Sequence, residues 1–202
     1  MKAERLPTPH PGRVARRRFS PWRSLRSLKD LPPALAAWDH ELSRPTRPAT
    51  IRLTLGALIA ALYVALVFAL QFASFGPIQL RLAEALTTLP LIFPEAPLAL
   101  GIGCLLANVL GNLGPWDIFG GSAVTLLAAL LTRLLRYRPA LALSSPVLLN
   151  AFLVSLYLHG IYAVPYWPTV FSIGVSEAVV VYLVGWPLLL WLAARRHRGV
   201  GR

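Results

Sequence analysis

Five ionisable side chains stand in or beside apolar runs: Arg81, Glu84, Glu95, Asp117 and Glu177. A carboxylate at mid-bilayer depth costs roughly 2.5–3.5 kcal/mol on insertion scales, so it should face a cavity or a partner. Arg81 and Glu84 are spaced i,i+3 on one helix. They could neutralise each other, or mark a site entrance just beyond the Gly76-Pro77 break. Glu177 has no basic neighbour in sequence, which leaves Arg81 as its natural partner. Asp117 follows Trp116 and suits either a helix N-cap or a ligand contact. Glu95, in Pro94-Glu95-Ala96-Pro97, reads as a solvated turn residue. Asn108, Asn112, Asn150 and His159 join the same half of the chain's apolar layer, with Tyr63, Phe75 and Trp116 as flat walls. A lone Asn in a membrane helix is ordinarily an interhelical hydrogen bond. Several of them converging with carboxylates and rings describe a pocket for a small polar ligand. Catalysis has no matching constellation: there are no paired histidines, no Ser-His and no Cys-His arrangement. No metal site and no cofactor is expected.

The elements that must position these groups follow from apolar runs and their breaks. Residues 53–74 carry no charge and are long enough for a ~30 Å hydrocarbon core. After Gly76-Pro77 a shorter helix is expected from 78 or 79 to 93, reaching only about 24 Å. Further spans are expected at 98–110, at 117 or 118 to 135, at 140–163 and at 169–194. Residues 111–116 read as a loop, and Val164-Pro165-Tyr166-Trp167-Pro168 as a turn with interfacial aromatics. Ala57, Ala61 and Ala65 recur every four residues on one face of the first span. Such a smooth stripe admits a close helix, within the bundle or in another subunit.

Composition agrees with a membrane chain. Of its 202 residues 56% are hydrophobic, with a mean hydropathy of +0.60, more apolar surface than a soluble domain of this size buries. Residues 1–52 hold twelve of the 20 Lys+Arg and four of the eight acids. Beyond them every basic residue except Arg81 falls in two clusters, Arg133–Arg136–Arg138 and Arg195–Arg196–Arg198–Arg202. Clusters at the ends of apolar runs report topology under the positive-inside rule and imply no nucleic-acid groove. Both termini are therefore expected in the cytoplasm, with six helices between them. Residues 1–50 read as a basic, mostly disordered arm, 51–195 as the membrane domain and 196–202 as a basic tail. Cys104 is the only cysteine, so no intrachain disulfide forms, and a buried small residue is its ordinary reading.

Gly56-Ala-Leu-Ile-Ala-Ala-Leu-Tyr-Val, and then Gly76-Pro-Ile-Gln-Leu-Arg-Leu-Ala-Glu-Ala-Leu-Thr-Thr-Leu-Pro, resemble the QueT family. These are substrate-binding (S) components of energy-coupling factor (ECF) transporters, assigned to queuosine precursors. The likeness runs through Phe93-Pro-Glu-Ala, Gly101-Ile-Gly-Cys-Leu-Leu-Ala-Asn, Asp117-Ile-Phe-Gly-Gly-Ser and Ser176-Glu-Ala, over about residues 52–194; the basic arm departs from it. The resemblance implies a six-helix S component in the bacterial inner membrane with an outward-facing site. Its partners would be a membrane scaffold (T) subunit, docked on Ala57, Ala61 and Ala65, and two cytoplasmic ATPases. No Walker sequence occurs here, so ATP hydrolysis would belong to those other chains. A deazaguanine presents two adjacent N–H donors that one carboxylate can accept side by side, and its ring stacks on aromatics. Glu84 and Glu177 are expected to take that edge and any aminomethyl cation, in an order left open. Asn108 and Asn112 would serve the carbonyl, and Arg81, Trp116 and Asp117 complete the expected site. The rival readings are an S component for another vitamin, a membrane enzyme acting on lipid, and a stand-alone proton-coupled carrier.

Overall fold

The computed structural model describes residues 48–69 and 81–198, with side chains through Arg195. Residues 1–47, 70–80 and 199–202 lie outside the described residues. The arm, Phe75, the Gly76-Pro77 break and Arg202 fall there.

Six helices follow in order, and no strand occurs among the described residues. Helix α1, Ala49–Ala69, is a single uninterrupted α-helix of 21 residues, about 31 Å long. Its buried face is Ile59, Ala60, Tyr63 and Val67. Ala57, Ala61 and Ala65 fall on the opposite, exposed side, so internal packing does not account for the alanine stripe. The second helix, α2, is Leu82–Leu91. It begins later than the expected 78 or 79 and is wound as a 3₁₀ helix. Ten residues at ~2.0 Å rise give about 20 Å, so it is shorter than the expected helix. Every residue from Ala83 to Leu91 is buried, which a helix at the centre of a bundle requires.

Helix α3, Ala96–Leu110, starts with Pro97 in its first turn, where a missing N–H costs nothing. It packs on α1 through Gly103, where a Cβ would lie 3.0 Å from Tyr63 Cβ and 3.1 Å from the Ala60 carbonyl. The chain then turns at Asn112, whose φ of 52° is a left-handed conformation that Asn tolerates better than most residues. The helix resumes at Pro115, inside the stretch expected to be loop.

Helices α4 (Asp117–Leu134), α5 (Pro139–Tyr162) and α6 (Tyr166–Arg198) each contain a π-helical segment: Asp117–Gly121, Asn150–Val154 and Val179–Gly185. α6 therefore begins earlier than the expected 169, with Pro168 in its first turn. By length and composition α1, α4, α5 and α6 are apolar enough to cross a membrane, while α2 and α3 are shorter apolar helices. Length alone thus supports four of the six expected crossings.

Packing sets α2 between α1, α4 and α6. Its crossing with α6 is the tightest contact: a Cβ at Gly185 would lie 2.6 Å from Thr88 Cγ2 and 2.7 Å from the Ala85 carbonyl. Thr88 Oγ1 donates to the Gly185 carbonyl at 3.2 Å. At the far end of α2, Arg133 Nη1 donates to the carbonyls of Pro90 and Leu91 at 3.1 and 3.2 Å. These belong to the helix-end acceptors that lack an intrahelical partner, and a cation at a helix C-terminus also suits the dipole.

Candidate functional site

Arg81 lies immediately before α2 in extended backbone, and Glu84 follows one turn in. Glu84 is 2% exposed. From α1, Tyr63 donates its hydroxyl to Glu84 Oε1 at 2.5 Å; Asn150 of α5 and Thr125 of α4 are also within its polar reach. Glu177, on α6 and 6% exposed, accepts a hydrogen bond from Asn150 Nδ2 on Oε1. Asn150 therefore stands between the two carboxylates, and each acid lies within the other's electrostatic range. Arg81 acts electrostatically on both, and on Tyr63, Cys104 and Tyr157 as well.

The cluster is not closed. Glu84 Oε2, Glu177 Oε2 and Arg81 Nε have no hydrogen-bond partner among the described residues, nor does the buried Ser155 Oγ. A buried polar atom left this way costs about 1–3 kcal/mol, and more when it belongs to a charged group. A purely structural ion pair in so apolar a setting would satisfy its lone pairs and protons. This one leaves charged atoms available to something else.

A second polar group adjoins the first. Asp117 accepts from the Tyr157 hydroxyl at 2.9 Å, and its backbone carbonyl accepts from Asn108 Nδ2 at 2.7 Å. Asn108 Nδ2 and Thr125 Oγ1 both reach Cys104 Sγ, at 3.6 and 3.5 Å, so Cys104 joins the two groups. With the helix starting at Pro115, Asp117 is not an N-cap; its carboxylate ties α4 to α5. Both amide hydrogens of Asn108 have partners inside the protein, which makes it a brace between α3 and α4. Asn112 is exposed in the turn, its backbone N–H closing onto Val109 at 3.1 Å. Trp116 is 59% exposed. Of the seven expected site residues, Arg81, Glu84, Asn108, Asp117 and Glu177 belong to the connected groups; Asn112 and Trp116 do not.

Outside this core, Glu95 is 3.9 Å from Arg52, an ion pair on the α1–α3 side rather than a merely solvated turn. His159 is exposed, with Nδ1 2.7 Å from the Val164 carbonyl. Sequence reasoning left Tyr157 and Thr125 unnoticed, and gave Asn150 and Tyr63 only supporting parts. Tyr157 and Thr125 sit in apolar runs with nothing to mark them. Their role depends on which way irregular helices turn them.

The π segments share this location. One begins at Asp117, one at Asn150, and the third two residues after Glu177. Such widened turns are frequent at functional sites.

A protein-family model described as QueT transporter matches residues 53–194. Neither the curated proteins nor the solved structures contain a match to the chain.

Proposed function

Because the chain belongs to the QueT transporter family, we propose that it is the substrate-capture subunit of an ATP-driven ECF importer, taking a queuosine precursor of the 7-deazaguanine type. The single observation that carries this reading is the pair of buried carboxylates, Glu84 and Glu177, each with one oxygen lacking a partner and both within the electrostatic reach of Arg81. A deazaguanine edge supplies two parallel N–H donors, which match one such carboxylate. Asn108 and Asp117 frame the site from α3 and α4, and Asn112 and Trp116 belong to its outer rim.

The arginine clusters favour a bacterial inner-membrane orientation with both termini in the cytoplasm and six passes, α2 and α3 being the short ones. Arg133 then marks the inner end of α2, so Arg81 and Glu84 face the outside. The exposed stripe Ala57, Ala61 and Ala65 offers a smooth face to a scaffold subunit, which in turn carries two ATPases; ATP hydrolysis is theirs. No cofactor or metal takes part.

The test is direct. The purified chain is titrated with 7-deazaguanine precursors, alongside native mass spectrometry of whatever molecule it retains. Binding should weaken sharply in Glu84→Gln and Glu177→Gln; wild-type affinity in both would remove the proposal. Uptake that persists without co-expressed ATPases would replace the S component with a stand-alone carrier, and retention of a different vitamin would change the ligand alone.

A further inference from the structure

Among the described residues, the charges around the site do not balance. Glu84 and Glu177 face one cation, Arg81, which acts on both. Asp117, an acid of the adjoining polar group, is already bonded by Tyr157. Four other arginines among the described residues are engaged elsewhere. Arg133 caps α2 at its far end, Arg52 is beside Glu95, and Arg136 donates to the Tyr137 hydroxyl at 2.7 Å. Arg195 stacks on Trp191 at 4.2 Å, eighteen residues beyond Glu177 on the same helix and so about 27 Å away. Residues 70–80 lie outside the described residues but contain no Asp, Glu, Lys, Arg or His.

The two carboxylates are also unequal. Glu84 has the Tyr63 hydroxyl bonded to one oxygen, Thr125 and Asn150 in reach, and Arg81 three residues away on its own chain segment. Glu177 has one amide, that of Asn150. Its second oxygen is without a partner, and its nearest charged neighbours include the like-charged Glu84. A buried carboxylate with so little compensation either keeps a proton or is ionised against a positive group that joins it, and a cationic ligand supplies such a group.

We propose that the site selects a ligand with one positive charge, and that Glu177 receives this charge while Glu84, steadied by Tyr63 and Arg81, accepts the neutral hydrogen-bonding edge of the ring. The inference rests on the deazaguanine reading for the ring, but not for the charge. Within that class it separates a ring bearing a protonated aminomethyl group from the same ring bearing a neutral nitrile. Glu177 is then the specificity-determining residue, and Glu84 the general anchor.

The experiment is calorimetric titration of the full chain with 7-aminomethyl-7-deazaguanine and with 7-cyano-7-deazaguanine. The amine should bind on the order of 10²-fold more tightly, the range expected for a buried charge pair. Glu177→Gln should weaken the amine and leave the nitrile unchanged, so that the two become alike. Glu84→Gln should weaken both by similar factors and keep their ratio. A nitrile that matches the amine in the wild type overturns the inference, and so does a discrimination abolished by Glu84→Gln but kept by Glu177→Gln. Where a Gln variant loses its cooperative melt, the wild-type ratio decides alone. If neither ring binds, the deazaguanine reading falls separately. The charge inference is then decided by screening cationic, neutral and anionic vitamins: tightest binding of a cation supports it, and tightest binding of a neutral or anionic one overturns it.

Discussion

Gly185→Ala is the most informative single methyl group that can be added to this protein. The new Cβ would sit 2.6 Å from Thr88 Cγ2 and 2.7 Å from the Ala85 carbonyl oxygen. Ordinary contacts between carbon atoms lie near 3.5–4.0 Å, so α2 and α6 must separate by about 1 Å. Overpacking of this kind costs about 1–3 kcal/mol, at the upper end here because backbone rather than a flexible chain end is struck. Separation also stretches the 3.2 Å bond from Thr88 to the Gly185 carbonyl. The functional effect follows from connectivity. Glu84 precedes Ala85 directly on α2, and Glu177 lies eight residues before Gly185 on α6, so the displacement moves the two carboxylates apart. Losing one charge-assisted hydrogen bond to ligand is worth about 1.5–3 kcal/mol, or roughly 10- to 150-fold in affinity. Gly160→Ala is the control: beyond its chain neighbours and its own helix backbone, no atom lies within 4 Å of its Cβ position. As a helical glycine it should gain about 0.5–1 kcal/mol on substitution. The assay is thermal unfolding in detergent with a ligand titration on the same preparations. A Gly185→Ala protein that melts no lower than wild type and binds ligand equally well would refute the claim that this crossing sets the site.

Two further substitutions separate anchoring from docking. Tyr63→Phe removes the hydroxyl that donates to Glu84 Oε1 while keeping the buried ring; affinity should fall roughly 10- to 150-fold, and an unchanged dissociation constant would show that Glu84 does not hold the ligand. Ala61→Leu adds bulk to the exposed face of α1 and, on the proposed importer reading, should leave unfolding and ligand affinity at wild-type values while abolishing both ATP-driven uptake and co-purification with a scaffold subunit; wild-type uptake would remove that face from the proposed interface.

Much of the scaffold was legible because its boundaries carry strong local chemistry. The Arg133–Arg138 cluster and Pro139 delimit α4 and α5 to within a residue or two of expectation. Pro94 and Pro97 likewise announce the start of α3. The convergence of Arg81, Glu84 and Glu177 was legible because ionised groups in apolar runs have few tolerable surroundings. Helix type was not. Leu82–Leu91 has an apolar composition that suits α or 3₁₀ winding equally, and its choice depends on neighbours on all sides. The direction faced by Ala57, Ala61 and Ala65 was also ambiguous, since the opposite face (Ile59, Ala60, Tyr63, Val67) is as apolar. Asn108 and Asp117 show a third limit. Composition reveals that such residues need partners, but not whether those partners are ligand or protein. Here both have protein partners at 2.7 and 2.9 Å.

Two kinds of irregularity, geometric and electrostatic, coincide in this bundle. A plain α-helical bundle would leave no backbone irregularity at Asp117, Asn150 or just beyond Glu177, yet each of α4, α5 and α6 widens there, and the helix bearing Glu84 tightens to 3₁₀. Each departure weakens hydrogen-bond geometry or packing relative to a regular helix. The unpartnered charged atoms of Arg81, Glu84 and Glu177 add a second cost in the same small region. A fold selected for stability alone would remove both, since apolar residues of similar volume replace buried ions at little or no loss. On the proposed reading the coincidence has one account: the unpartnered oxygens of Glu84 and Glu177 lie where a bound ligand would supply the missing bonds. Binding then satisfies groups whose desolvation was already met in folding, so the gain in affinity per hydrogen bond is large. The same logic explains why Arg81 does not quench either acid. A closed pair would compete with the ligand at every binding event.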